Sequence, residues 1–185
     1  MLRPLEMAHQ FLAEVLDKEA VAVDATMGNG HDTLFLAKLA KKVYAFDIQK
    51  EAVQKTQEQL QKENISNVAL ILDGHEQVDQ YVTEPVRAAI FNLGYLPAAD
   101  KSVITLPETT LMALDKLCQA LSFGGRIAVM VYYGHEGGQE EKDAVLDFVK
   151  SLPQQEFTVA LYQNINQINR PPFLIMIEKL KKEKE

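Results

Sequence analysis

Hydrophobic and polar positions along the chain alternate between two regimes. Short β-branched or apolar runs predict strands at residues 21–23, 43–46, 68–72, 88–91 and 127–132, and segments of helical period lie between them. The first helix is expected to start near Pro4, which a first turn tolerates, and it places Leu5, Ala8, Leu12, Val15 and Leu16 on one stripe. A short helix follows at 33–40. A longer one at 49–63 carries Glu51–Lys55 and Glu58–Lys62 at the favourable i,i+4 spacing. Residues 107–121 stack Leu111, Leu114, Leu117 or Cys118, and Leu121, while 140–152 stack Ala144, Val145, Phe148, Val149 and Leu152. Such alternation calls for a parallel sheet covered by helices on both faces. The end breaks the rhythm. Runs at 157–161 and 173–177 read as strands, but the residues between them include Pro171-Pro172 and are too few for a helical crossover, so the two should pair antiparallel. The expected fold class is therefore α/β: a Rossmann-like, doubly wound, seven-stranded sheet, mostly parallel, with a C-terminal antiparallel hairpin.

Composition adds limits. The 185 residues suit one domain, expected over 1–179 with a solvated charged tail at 180–185, and there is no repeat or linker that would divide them. With 47% hydrophobic and 24% charged residues the balance is that of a globular chain. The 26 acids against 19 bases leave a net charge of -7, which argues against a broad electrostatic grip on nucleic acid but not against a local basic patch. The single cysteine, Cys118, has no internal disulfide partner, and no Cys/His cluster has zinc spacing, so no metal is expected. The start lacks the apolar run of a signal peptide, and no stretch reaches the length of a membrane helix, so a cytoplasmic protein without membrane contact is expected.

The most informative segment runs from Val21 to Thr33. A buried strand ends at Asp24, a turn carries Gly28 and Gly30 around Met27 and Asn29, and a helix begins near Asp32. In open α/β sheets, ligands sit beyond the carboxyl ends of the strands where strand order reverses. A P-loop would need Gly-Lys-Ser/Thr after the glycines, and there is none. The dinucleotide fingerprint would need glycine where Thr33 stands, and Asp24 and Asp32 would repel a pyrophosphate. Acids suit a ligand bearing an amino cation and a sulfonium, which describes S-adenosylmethionine (SAM). The next strand ends at Asp47, followed by Ile48-Gln49, where a carboxylate can accept from both ribose hydroxyls. The alternative role for Asp47 is to cap the helix from Gln49. The third ends Asp73-Gly74-His75, placed to accept from an adenine amino group and to supply backbone contacts. Acids at the ends of three successive strands, the first with its glycine turn, form a stronger signal than any alone. A parallel sheet closed by an antiparallel hairpin also resembles SAM methyltransferases.

The fourth strand ends Asn92-Leu93-Gly94-Tyr95. Amino-directed methyltransferases often carry Asn/Asp-Pro-Pro-Tyr here, with the Asn oxygen accepting N–H bonds so that the nitrogen lone pair faces the methyl group. Asn92 and Tyr95 keep that spacing, while Leu93-Gly94 replaces the prolines. With the segments at 24–33, 45–49, 91–97, Asp100-Lys101-Ser102, Tyr133-Gly134-His135 and Asn169-Arg170-Pro171-Pro172-Phe173, the chain resembles a small bacterial family whose members long carried the label rRNA methylase. These are the tRNA 5-(aminomethyl)-2-thiouridine methyltransferases of Gram-positive bacteria. The resemblance spans about residue 5 to residue 179. It implies SAM-dependent N-methylation of the aminomethyl group on wobble uridine U34, with S-adenosylhomocysteine (SAH) as by-product and the tRNA anticodon loop as partner. On this reading Asn92, Tyr95 and His135 serve the chemistry. Tyr133, Asn169 and Arg170 meet the RNA, Arg170 at a phosphate.

Other readings stay open. Ribosomal RNA or a small amine would suit the same cofactor loops. An NAD-dependent oxidoreductase shares the Asp47 logic but not the glycine pattern, and a SAM-binding module without catalysis shares both. His135 reads equally as a loop-packing residue, and His9 as an ordinary helix residue. The hairpin and the 107–121 helix are candidate faces for a homodimer.

Overall fold

The computed structural model describes residues 1–94 and 105–180. In chain order these form helix α1 (Pro4–Ala13), strand β1 (Val21–Asp24), α2 (His31–Leu39), β2 (Lys42–Asp47), α3 (Lys50–Lys62) and β3 (Val68–Leu72). A 3₁₀ turn (His75–Gln77) then runs into the one-turn helix α4 (Val78–Tyr81). β4 (Val86–Leu93), α5 (Pro107–Ala120), β5 (Leu121–Val131), α6 (Gly138–Ser151), β6 (Phe157–Tyr162) and β7 (Phe173–Lys179) complete the order. Tyr95 and the expected motif at 100–102 lie outside the described residues, as does the tail at 181–185.

The seven strands form one sheet in the order β3-β2-β1-β4-β5-β7-β6. Every pairing from β3 to β5 is parallel, and β7 runs antiparallel to both β5 and β6. The fold expected from patterning is the one observed. Alternation with period two explains why the central strands read as unbroken apolar runs. Val21, Val23, Ala89 and Phe91 face a layer that includes Leu114 and Leu117 of α5 and Val145 of α6. Ala22, Ala88 and Ile90 face the other way, against Ala8 and Leu12 of α1 and Leu36 of α2. Both faces are thus buried, as a parallel sheet with helices on each side requires. No helix among the described residues is long and apolar enough to cross a membrane.

Three boundaries differ from the pattern. α1 stops at Ala13, although Val15 and Leu16 still pack against the core. β5 begins at Leu121, well before the expected 127, and its pairing with β4 shifts register between Leu121 and Arg126. Ser122-Phe123-Gly124-Gly125 looks like a turn, yet here it is an irregular strand with Gly124 at φ 75°. The His75–Tyr81 segment is too short for a helical period to show.

Candidate active site

Strand order reverses at β1: the strand's first neighbour, β2, lies on one side, and β4 is laid down later on the other. The carboxyl ends of β1 and β4 therefore open a crevice. A cavity of about 690 Å³ lies there, lined by the loop after β1, the ends of β2, β3 and β4, and the loops after β5 and β6.

Backbone bonds shape the β1 loop. Ala25 donates to Ile90 O at 2.9 Å and Met27 to Phe46 O at 2.9 Å, tying the loop to both flanking strands. Gly30 starts α2 with φ 83°, and a Cβ there would meet Thr56 Oγ1 at 2.8 Å and Thr56 Cα at 3.1 Å. Only glycine fits. Gly30 is thus a packing requirement behind the loop, not part of the cavity wall, whereas Met27, Gly28, Asn29 and Asp32 do line it.

The acids fall into two groups, which corrects the expectation that the tips of three strands face one ligand. Asp24 is fully buried and does not line the cavity. It accepts from Thr33 Oγ1 at 2.6 Å and, more weakly, from Thr26 N at 3.2 Å. Burial, with the nearby charge of Asp32, pushes its carboxyl up to about 7. Thr33 is likewise buried behind the wall with its hydroxyl on Asp24. The acids that do line the cavity are Asp32, Asp47, Asp73 and Glu76. Asp47 accepts from Gly28 N at 3.0 Å and from Gln49 N at 2.9 Å, so it fastens the β1 loop to the start of α3 as well as facing the cavity beside Ile48 and Gln49. Burial raises its carboxyl too. Asp73 accepts from Tyr81 Oη at 2.7 Å and Gly74 N at 2.8 Å.

His75 is buried at the cavity wall, its Nδ1 on Ala25 O at 3.0 Å. A carbonyl accepts, so Nδ1 carries the proton and Nε2 is left as an acceptor. Burial lowers its pKa and keeps the ring neutral, and Nε2 has no partner among the described residues. A buried acceptor without a donor is costly, and a ligand N–H would satisfy it.

At the end of β4, Asn92 N donates to Thr26 Oγ1 at 2.7 Å and Asn92 Nδ2 to Asp32 Oδ2 at 2.5 Å. His9 of α1 reaches the other oxygen of Asp32 at 2.5 Å. Leu93 and Gly94 continue the wall, followed by Tyr132, Tyr133, Gly134, His135 and Arg170 on the opposite side. Gly94 N donates to Thr105 Oγ1 at 3.0 Å, and that hydroxyl donates to buried Glu141 at 2.7 Å. His135 packs closely against Gly138, where an added Cβ would stand 2.9 Å from its ring. Asn169, expected beside Arg170, is exposed and does not line the cavity.

Sequence reasoning missed His9, Thr26 and Glu141. A signal existed for His9: it lies one helical turn after Leu5, which lines the cavity, so it belongs to the face of α1 turned toward the site although it stays behind the wall itself. No metal-binding group of His, Cys, Asp or Glu is found among the described residues.

This arrangement has close counterparts. The family described as "Putative rRNA methylase" matches residues 43–178. A tRNA (mnm(5)s(2)U34)-methyltransferase of Arabidopsis thaliana chloroplasts is 37% identical over 94% of this chain and 69% of its own length. A Streptococcus mutans protein crystallised with SAH is 64% identical, with 97% and 99% of the two chains covered and a TM-score of 0.94. An rRNA methylase of Streptococcus thermophilus is 55% identical over 98% and 99%, with a TM-score of 0.87.

Proposed function

Since the chain belongs to this rRNA methylase family of SAM-dependent methyltransferases, we propose that it N-methylates the aminomethyl group of 5-aminomethyl-2-thiouridine at the tRNA wobble position, giving 5-methylaminomethyl-2-thiouridine. The observation that carries this reading is the amide of Asn92, which lines the cavity with its nitrogen held by Asp32.

The cavity suits SAM. Among the described residues four carboxylates line it, Asp32, Asp47, Asp73 and Glu76, against the single cation Arg170 at the rim, which favours a cation over a pyrophosphate. Asp32 in the first turn of α2 occupies the place where a dinucleotide would put its phosphates, and this disfavours an NAD enzyme. The unpartnered Nε2 of His75 and the exposed apolar side chain of Ile48 suit a purine carrying an amino group. SAM, when bound, supplies a methyl group on a positively charged sulfur. Asp32 and Asp47 would hold its cationic end and ribose from below, with Asp73 toward the base.

The protein's part in the transfer is alignment and exclusion of water. Oδ1 of Asn92 accepts an N–H of the incoming amine, which leaves the nitrogen lone pair directed at the methyl group. The amine must arrive neutral. Tyr132, whose hydroxyl is held protonated by burial and by Asp32, closes the wall without adding charge. Tyr133 and His135 face the base, and Arg170 at the rim meets a phosphate. The acceptor identity rests on the 37% identity to the plastid tRNA enzyme and on the cavity's fit to an amine.

The test uses purified protein, SAM and tRNA bearing 5-aminomethyl-2-thiouridine, with nucleosides read by mass spectrometry. The expected product is heavier by one CH2 and is lost in Asn92→Ala, which should still bind SAH. No heavier nucleoside, or modification of ribosomal RNA instead, refutes the acceptor assignment.

A further inference from the structure

Two side chains from two other elements meet at one carboxylate. Asp32, at the start of α2, is 8% exposed. Its Oδ2 receives Nδ2 of Asn92 from the end of β4, and its Oδ1 receives Nε2 of His9 from α1, both at 2.5 Å. The His9 ring is itself fixed by stacking on Phe35, with centroids 4.0 Å apart and planes 5° from parallel. His9 does not line the cavity, whereas Asp32 and Asn92 do.

The chemistry of the three groups settles which way round the amide sits. An ionised carboxylate only accepts, so it must face the NH2 end of Asn92 and not the carbonyl. The amide's carbonyl is thereby turned away from Asp32 and free to accept. An unrestrained amide would offer its NH2 end to the cavity in part of the population, and two N–H donors facing each other repel an amine. Asp32 in turn is held by the N–H of His9, without which its carboxylate could rotate about χ2 and release Asn92.

We propose that His9 is a positioning residue of the transfer reaction: through Asp32 it locks the Asn92 amide with its carbonyl oxygen toward the acceptor amine. The inference rests on the reading of Asn92 given above. It brings α1, which lies outside the loops that carry the cofactor pattern, into the function of the site.

Two measurements test the lock. In cofactor-free protein, 1H–15N spectra should show the two Asn92 Nδ2 protons well separated, with one shifted downfield and slow to exchange. Both features should vanish in Asp32→Asn and His9→Ala. In methyl transfer to the aminomethyl-thiouridine tRNA, His9→Ala should lower kcat about tenfold, since small misplacements of an aligned group are expensive. SAH affinity and the KM for SAM should stay within about twofold, because His9 does not touch the cavity. His9→Gln, which keeps an N–H near the position of Nε2, should recover most of the rate. An unchanged Asn92 amide signal, a wild-type kcat in His9→Ala, or a His9→Gln as slow as His9→Ala overturns the proposal. If wild-type protein methylates no such tRNA, the functional reading falls, and the lock is then judged on the amide signal alone.

Discussion

Replacing Asp24 by Asn tests the division of the acids into a buried and a cavity-lining group. The perturbation is isosteric: the side-chain oxygen can still accept from Thr26 N, and the new NH2 can donate to the Thr33 hydroxyl. What it removes is titration. Burial and the Asp32 charge lift the Asp24 carboxyl from 3.8 to about 7, so the folded state binds more protons than the unfolded chain between those values. A raised carboxyl stabilises fully below its unfolded pKa and loses that contribution as pH rises through the folded one. At 1.36 kcal/mol per unit, wild-type protein should lose roughly 2–3 kcal/mol between pH 5 and pH 8 from this carboxyl. Asp24→Asn should lose none of that share. The assay is urea unfolding of cofactor-free protein at pH 5, 6, 7 and 8, with the difference between variant and wild type plotted against pH. It should climb toward alkaline pH in favour of the variant. The two carboxyls titrate as a pair, so Asp32→Asn in the same series should flatten part of the wild-type slope. Parallel curves for wild type and Asp24→Asn would refute the reasoning, because they would mean that Asp24 is ionised throughout or reaches water.

Affinity for SAM should fall as pH is lowered toward the Asp47 pKa, which burial raises above the ordinary carboxylate value, since the protonated carboxyl loses its attraction for a cation; calorimetry at acid pH should also detect proton release on binding. Gly30→Ala should cost about 1–3 kcal/mol in urea unfolding, from φ 83° and the collision with Thr56, and should weaken SAH binding as the loop shifts. Cys118, whose thiol burial pushes up to about 12, should resist iodoacetamide at pH 8 in native protein and react promptly in urea. Glu141→Gln should raise the KM for tRNA more than it alters SAH affinity, because it loosens Thr105 and with it Gly94 at the acceptor wall.

Period-two runs buried on both faces, helical stripes between them and a final pair too close for a crossover were enough to specify the sheet, including its antiparallel end. What failed were elements whose signal is shorter than a period. The His75–Tyr81 turn is one example, and the start of β5 is another, since a strand carrying Gly124-Gly125 imitates a loop. The cavity loops were legible for a related reason. Strand ends are marked in one dimension, and Met27 to Asn29, Asp47 to Gln49, Asp73 to His75 and Asn92 to Leu93 all reach the wall from them.

Depth is not marked in one dimension, and the fate of the acids shows why. Asp24 and Asp32 stand eight positions apart on either side of the same glycine turn and look equivalent as residue types. The turn folds one behind the loop and the other through it. Asp24 pairs in register with Ala45 and Ile90 in the middle of the sheet, where both faces are covered, so its carboxyl is sealed in. Asp32 rides on the first turn of α2 at the crevice, within reach of β4 and α1. Burial, with the charge of Asp32 nearby, raises the Asp24 carboxyl. Sealed in this way, Asp24 braces the loop through Thr33, while Asp32 stands at the cavity wall. The split puts one of the two acids beside the Asn92 amide and leaves the other as internal bracing, a difference that residue type and spacing do not carry.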